Sequence, residues 1–396
     1  MSSNITPDSI QLAMMATYRR AGRPMVAQLD VTYRCDLNCQ HCYLDDRTTW
    51  PELTTSEWRN VVDQLAQLGV IKLTWSGGDP FMRADLLQLV QHAGALGFSS
   101  TLRTHAMAVN ADNARQFRDA GVEVARVSLY SLRPEIHDPF TRGAGSLAKT
   151  LIGIDALLTA GIEVHVDVFV TAEMIEEIPE IADYFFRRGA VAGFGNMVHR
   201  DHLARTDLDR LELTSDQRAR AQQLRLQAAG STPTGAGDIN GRLEQGSCGA
   251  GRQSLYISPD GGVWPCVMFP MELGHLKRDS LAVVWQTSPQ RQQILSFSNA
   301  DRGACHSCAG SGTCFFCMGE AFKTTGDFRT APAHFHGRTR DWMHGHEAAH
   351  GPAWTEEQWS TVPDNGERPA RPERFVFPIY RASKGLGTRV GDGSQS

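Results

Sequence analysis

Between Met25 and Asn196 six short β-branched or apolar runs alternate with segments of helical period, and this alternation restricts the chain more than any other feature. It reads as repeated βα units around a parallel sheet. The strands fall at Val26 to Thr32, Ile71 to Trp75, Ser99 to Arg103, Val122 to Leu129, Val164 to Val170 and Val191 to Gly195. Six units are fewer than the eight of a closed barrel. The expected class is therefore α/β, a partial (β/α)6 TIM-type barrel with a C-terminal cysteine-rich domain.

The clearest helix is Ser56 to Leu68, where Trp58, Val61, Val62, Leu65 and Leu68 share one stripe. Thr54 with Glu57 makes a capping box and Gly69 supplies the stop. A second helix starts at Ser146, the expected N-cap, and runs through Leu147, Leu151, Ile154, Leu157 and Leu158 to Gly161. Both stripes are core. The expected organisation is a helical segment over 1–24, the barrel over 25–198, a connector over 199–247, a cysteine-rich domain over 248–322, and a region over 323–396 rich in His, Pro and Gly. The connector carries one polar helix near Ser215 to Ala229, then the Gly, Thr and Pro of Gly230 to Gly241. In the last region Phe375 to Tyr380 is the one strand-like run, and the final residues read as disordered.

The 396 residues are 41% apolar and 21% charged, which excludes fibrous and wholly disordered classes. A formal charge of -5 gives no global field for phosphate backbones, so nucleic acid is not an expected partner. Met1 to Pro24 lacks the apolar centre of a signal peptide, and no run approaches the ~18 apolar residues of a membrane span. A cytoplasmic location is expected. There thiols stay reduced, so nine cysteines point to metal or redox chemistry instead of disulfides.

Cys35, Cys39 and Cys42 follow the first strand directly, at spacing CxxxCxxC. Three thiolates on one tight loop can grip three irons of a 4Fe-4S cube and leave the fourth iron open. A zinc knuckle, or three unrelated buried thiols, is the alternative.

With His41 and Tyr43 flanking the last cysteine, this loop resembles that of the radical SAM superfamily. The resemblance implies that the open iron chelates S-adenosylmethionine (SAM), and that an electron from the cube cleaves it to a 5'-deoxyadenosyl radical that abstracts hydrogen. It also implies an external electron donor of flavodoxin or ferredoxin type. Trp75-Ser-Gly77-Gly78-Asp79-Pro80 is similar to the family's GGE motif, which holds the methionine amino group, with Asp79 where Glu is usual. Ser128 in Ser128-Leu-Tyr-Ser131 resembles the serine that touches the cofactor's ribose. Arg142, after His137-Asp138 and before Gly145-Ser146, resembles an arginine placed near its carboxylate. Arg103-Thr104-His105 departs from the family's Thr-Asn-Gly and has no role by this resemblance.

Six cysteines lie between Cys248 and Glu320: Cys248, Cys266, then Cys305, Cys308, Cys314 and Cys317. With Gly261, Gly274 to Leu281 and Trp285, they resemble the SPASM extension of radical SAM enzymes. The resemblance implies one or two auxiliary 4Fe-4S clusters, with Cys248, Cys266 and Cys317 on the inner one and Cys305, Cys308 and Cys314 on the outer. Two cubes take about eight protein ligands, and six thiolates are present. His334, His336, His344, His346 or His350 could complete the outer set, or form only a solvated His-rich tail; alternatively one cube is bound and two thiols stay free. A zinc site at Cys305 to Cys317 is the other alternative, although its inner spacing is shorter than in a zinc ribbon.

Auxiliary clusters suit anchoring a substrate or carrying away the electron left on it, so the resemblance implies oxidative modification or crosslinking of a peptide or protein. The short segment before the first strand leaves no room for a peptide-recognition domain, so a separate leader-binding protein, or the C-terminal region with Trp342, Trp354, Trp359 and Phe375 to Tyr380, would do that work; the alternative is that these aromatics pack on the barrel. A sugar, nucleoside or tetrapyrrole intermediate is the alternative substrate, and a non-catalytic iron-sulfur carrier the third reading.

Overall fold

The computed structural model describes residues 7–44, 51–196, 207–228, 248–298, 308–312, 314 and 316–363. Cys305, the run at 375–380, the C-terminal end, and 199–206 and 229–247 of the expected connector lie outside the described residues. Helix α1 (Pro7–Arg20) precedes six parallel strands that lie side by side in chain order: β1 (Val26–Thr32), β2 (Lys72–Gly77), β3 (Ser99–Thr104), β4 (Val122–Leu129), β5 (Glu163–Phe169) and β6 (Val191–Gly195). Between them run α2 (Thr55–Leu68), α3 (Leu86–Ala95), α4 (Ala111–Asp119), α5 (Pro134–Thr141), α6 (Ser146–Thr159) and α7 (Ile178–Phe186).

Strand parity separates core from site. On β4 Ala125, Val127 and Leu129 are buried against α4 and α6, while Arg126 and Ser128 point the other way. Parallel sheets usually carry apolar side chains on both faces; here the second face lines a cavity and tolerates charge.

Helix α2 forms where its signals lie. Thr54 Oγ1 accepts from Glu57 N at 3.3 Å, Glu57 Oε2 accepts from Thr54 N at 2.7 Å, and Gly69 ends the helix at φ 81°. Trp58, Val61, Val62 and Leu65 are buried, and Leu68 is half-buried against the same core. Helix α6 corrects one expectation: Gly145, at φ 72°, occupies the N-cap, and Ser146 is the first helical residue. The cap comes from α5, where Asp138 accepts from Gly145 N at 2.6 Å and Leu147 N at 3.0 Å. Its carboxylate satisfies the free N–H groups that the Ser146 hydroxyl was expected to take.

The cysteine-rich part continues the sheet. β7 (Ser254–Ile257) pairs in parallel with β1, Val26 opposite Ser254, and β8 (Gly262–Trp264) and β9 (Gly274–His275) follow antiparallel, giving nine strands in one sheet. Helices α9 (Leu281–Thr287) and α10 (Pro289–Ser296) close this end, with Arg291 stacked 3.9 Å over Trp285 and donating to Gly251 O and Gly22 O. The polar helix α8 (Ser215–Ala228) packs against α12 (Ala333–His350), where Gly345 meets Ala219 and Gln222 and Arg218 pairs with Asp341. Among the described residues no helix is long and apolar enough to cross a membrane.

Candidate metal centre

The loop after β1 is laced to α5: Asn38 N donates to Thr141 O at 3.1 Å and Gln40 N to Phe140 O at 2.9 Å. Cys42 N closes a tight turn on Cys39 O at 3.1 Å. These bonds present Cys35, Cys39 and Cys42 to one cavity of about 570 Å³, also lined by Tyr43, Gly77, Gly78 and Ser128. The three thiols do not gather within 4.8 Å of one another. Thiolates on one zinc ion stand roughly 3.8 Å apart, given Zn–S bonds near 2.3 Å. Three thiols on one loop, spread around a cavity, fit a polynuclear cluster better than a single ion.

Close backbone approach explains the two glycines. A Cβ on Gly77 would stand 2.0 Å from Thr32 O, and one on Gly78 would stand 2.3 Å from Arg34 O. Gly78 N donates to Thr32 O at 2.8 Å and Asp79 N to Arg34 O at 2.9 Å, so the turn after β2 rests on the chain that enters the cysteine loop.

Asp79 departs from its expected place at the cofactor. Its side chain is 1% exposed and outside the cavity lining. Oδ1 accepts from Phe81 N at 2.9 Å, and Oδ2 accepts from Thr104 Oγ1 at 2.6 Å and His105 N at 3.0 Å. The shorter acid turns back into the protein and ties β2 to β3. His105 also meets Asp36 at 2.8 Å. Burial works against a charged ring there, but Asp79, Asp36 and Cys35 outweigh it and raise His105 to about 10. Cys35, Asp36 and His105 do bring three ligand atoms within 4.8 Å. Asp36 and Asp79 are the ion-pair partners of His105, and Cys39 and Cys42 are not part of this group.

His41, between the last two cysteines, packs against Phe169 at 4.6 Å, Tyr130 at 5.2 Å and Phe140 at 5.3 Å between ring centroids. Burial lowers it to about 4, so the ring is neutral and shields the loop from water. Tyr43 reaches Asp30 at 3.4 Å, and Tyr256 of β7 reaches the same carboxylate at 3.1 Å.

Arg142 also departs from expectation: it is exposed, caps α5 at φ 56°, and does not line the cavity. The left-handed turn leads into Gly143, which packs on Leu37 of the cysteine loop. Arg103, Arg126, Asp167 and Arg225 line the cavity. Their signal was parity: Arg126 shares a strand face with Ser128, and Arg103 is its register partner.

The second thiol set gathers at the β7–β8 end. Burial pushes the Cys266 thiol up to about 11, and Cys248 and Cys317 lie close enough to add to the shift. Helix α11 (Met318–Thr325) begins at Cys317, and Gly319 lets it press on the Cys266 turn, since a Cβ there would stand 2.3 Å from Met268 O. Three crowded thiols fit a shared cluster. Cys314 N bonds to Gly310 O at 2.8 Å nearby in sequence, with Cys308 at the start of the described stretch. Along α12, His334 lies 3.8 Å from Glu320, whereas His344 stacks on Trp359 and His346 on Trp342. The tryptophans thus pack with histidines of their own helix region.

The model of the radical SAM superfamily matches residues 29–185, and that of the SPASM iron-sulfur cluster-binding domain matches 248–309. The chain is 24% identical over 330 residues to an AdoMet-dependent heme synthase of Methanosarcina barkeri, covering 77% of this chain and 94% of that one. Over 132 residues it is 35% identical to a PqqA peptide cyclase of Rhodopseudomonas palustris, covering 33% of this chain and 35% of that one. Its fold is similar to that of Streptococcus suis SuiB bound to the precursor peptide SuiA, with a TM-score of 0.56 at 16% identity, covering 75% and 73% of the two chains.

Proposed function

We propose that this chain, a radical SAM enzyme with a SPASM iron-sulfur domain, oxidatively modifies or crosslinks a side chain of a peptide or protein. The observation that carries the reading is that two thiol sets share one sheet. β1 delivers Cys35, Cys39 and Cys42, and its partner β7 leads through β8 to Cys266. Two clusters so connected suit net oxidation, in which the substrate loses a hydrogen atom and then one more electron. The similarity to a PqqA peptide cyclase and to SuiB with its precursor peptide supports a peptide substrate.

In this reading Cys35, Cys39 and Cys42 hold the SAM-binding cube, and Gly77, Gly78, Ser128 and Tyr43 line the SAM site. When bound, cube and SAM supply the radical that abstracts hydrogen. His41 and its aromatic neighbours exclude water from that radical. Cys248, Cys266 and Cys317 hold the inner auxiliary cluster, and Cys308 and Cys314, with Cys305, the outer. Asp79 serves as a positioning residue, and Arg142 stands outside the cavity lining, at the end of α5 beside the cysteine loop.

A second reading, a small-molecule biosynthetic intermediate as substrate, is favoured by the long match to a heme synthase, 94% of whose length is covered. Anaerobically reconstituted enzyme with a chemical reductant and SAM separates the two. Deoxyadenosine formation stimulated by a candidate peptide, with a mass loss of about two on the peptide for the two hydrogens removed, supports the first. Stimulation by a sugar, nucleoside or tetrapyrrole alone supports the second.

A further inference from the structure

The cavity floor carries charge that the proposed cofactor set leaves unused. Arg126 lies two residues before Ser128 on β4, about 7 Å deeper along the strand than the rim. Arg103 is its register partner on β3, and Arg225 of α8 joins them on the cavity wall. Asp167 takes up Arg126, accepting Nε at 2.9 Å and a second bond from the same guanidinium. Among the described residues Arg103 and Arg225 make no ion pair with any carboxylate. Asp30, whose field reaches Arg103, is fully buried and already accepts from Gln28 and Tyr256. On β6 Gly193 stands opposite Asp167, and Gly193 and Gly195 put no side chain on this wall of the cavity. Two solvent-reached guanidiniums on one cavity wall, with no ion pair to a carboxylate among the described residues, favour an anion, and their planar donors match a carboxylate.

We propose that Arg103 and Arg225 bind a carboxylate of the substrate on the cavity floor, below the rim formed by the cysteine loop, Gly77, Gly78 and Ser128. The site selects substrates bearing an acidic group, and so deepens and rests on the function proposed above. The carboxylate belongs either to an acidic peptide residue or to an acid arm of a small molecule.

The test is equilibrium dialysis of the reconstituted holoenzyme with four probes read by mass spectrometry: glutarate, glutaramide, acetyl-Ala-Ala-Glu-Ala-Ala-amide and the same peptide with Gln. At least one acid should bind about tenfold more tightly than its isosteric amide, and the pair that responds identifies the source. The ratio should fall to about one in the double variant Arg103→Gln, Arg225→Gln, with SAM affinity changed less than about twofold, and Arg103→Lys should keep part of the preference. No acid preference in the wild type, or a preference unchanged in the double variant, overturns the site. So does loss of SAM affinity in parallel, which would assign the arginines to the cofactor. Acid preference without SAM cleavage would defeat the proposed function and leave this site standing.

Discussion

Asp79 Oδ2 accepts a hydrogen bond from Thr104 Oγ1 at 2.6 Å, fixing the end of β3 to the glycine turn that carries the cavity rim. Both of its oxygens are committed within the protein. Asp79→Asn should therefore lower stability by about 2 kcal/mol, the worth of a buried charged hydrogen bond, and leave SAM affinity within about threefold. Thermal unfolding and calorimetric titration of the reconstituted enzyme check this. A hundredfold loss of SAM affinity at unchanged stability would instead place the carboxylate on the methionine amino group.

Gly78→Ala puts a methyl group 2.3 Å from Arg34 O and 2.6 Å from Tyr33 O, both backbone atoms that cannot swing away. The cysteine loop must shift to make room. We expect a loss of about 3 kcal/mol together with loss of iron from the first site. Gly195→Ala, which meets nothing within 4 Å, should change stability by less than about 0.5 kcal/mol. Melting temperature and iron per chain distinguish the two.

Local signals made most of the fold legible, because they act over a few residues. Val26 to Thr32, Val122 to Leu129 and Val191 to Gly195 are strands with the bounds their alternation implies, and Thr54 with Glu57 caps α2 as read. Long-range choices were not legible. Asp138 displaces Ser146 as the cap of α6 because it arrives from another helix. Asp79 turns inward because Thr104 and His105, 25 and 26 residues on, offer it donors. The cysteine pattern separates a second domain, whereas β7 adds to the edge of β1 and makes one sheet. The charge of Arg103, Arg126 and Asp167 is plain in the sequence, but their convergence depends on register across three strands.

His137, 1% exposed, sits among Tyr130, Ser146 and Asp138, and burial lowers it to about 4 against Asp138's opposing pull. The unfolded ring titrates near 6.5, so between those values the unfolded state binds the extra proton. The stability contributed by the neutral ring is present above about 6.5 and is lost as pH falls toward 4. From pH 7 to 5 this residue should cost the protein about 2 kcal/mol. His137→Gln should flatten that part of the stability–pH curve, measured by denaturant unfolding; an unchanged slope would mean the ring is already charged in the fold.

Cys266 tests the division of labour between the two thiol sets, because it is half-buried beside Cys248 and Cys317 and lies outside the cavity that Cys35, Cys39 and Cys42 line. Wild type should hold about twelve irons per chain after reconstitution if three cubes bind, and the triple alanine variant of Cys35, Cys39 and Cys42 about eight. About eight falling to about four would mean one auxiliary cube and two free thiols. Cys266→Ala should lose about four irons in either case yet still cleave SAM to deoxyadenosine, since the first site is intact. What it should lose is the oxidised product, because the electron left on the substrate has no nearby acceptor. A Cys266→Ala enzyme that forms product at the wild-type rate would remove the oxidative role from the second set and favour a purely structural cluster.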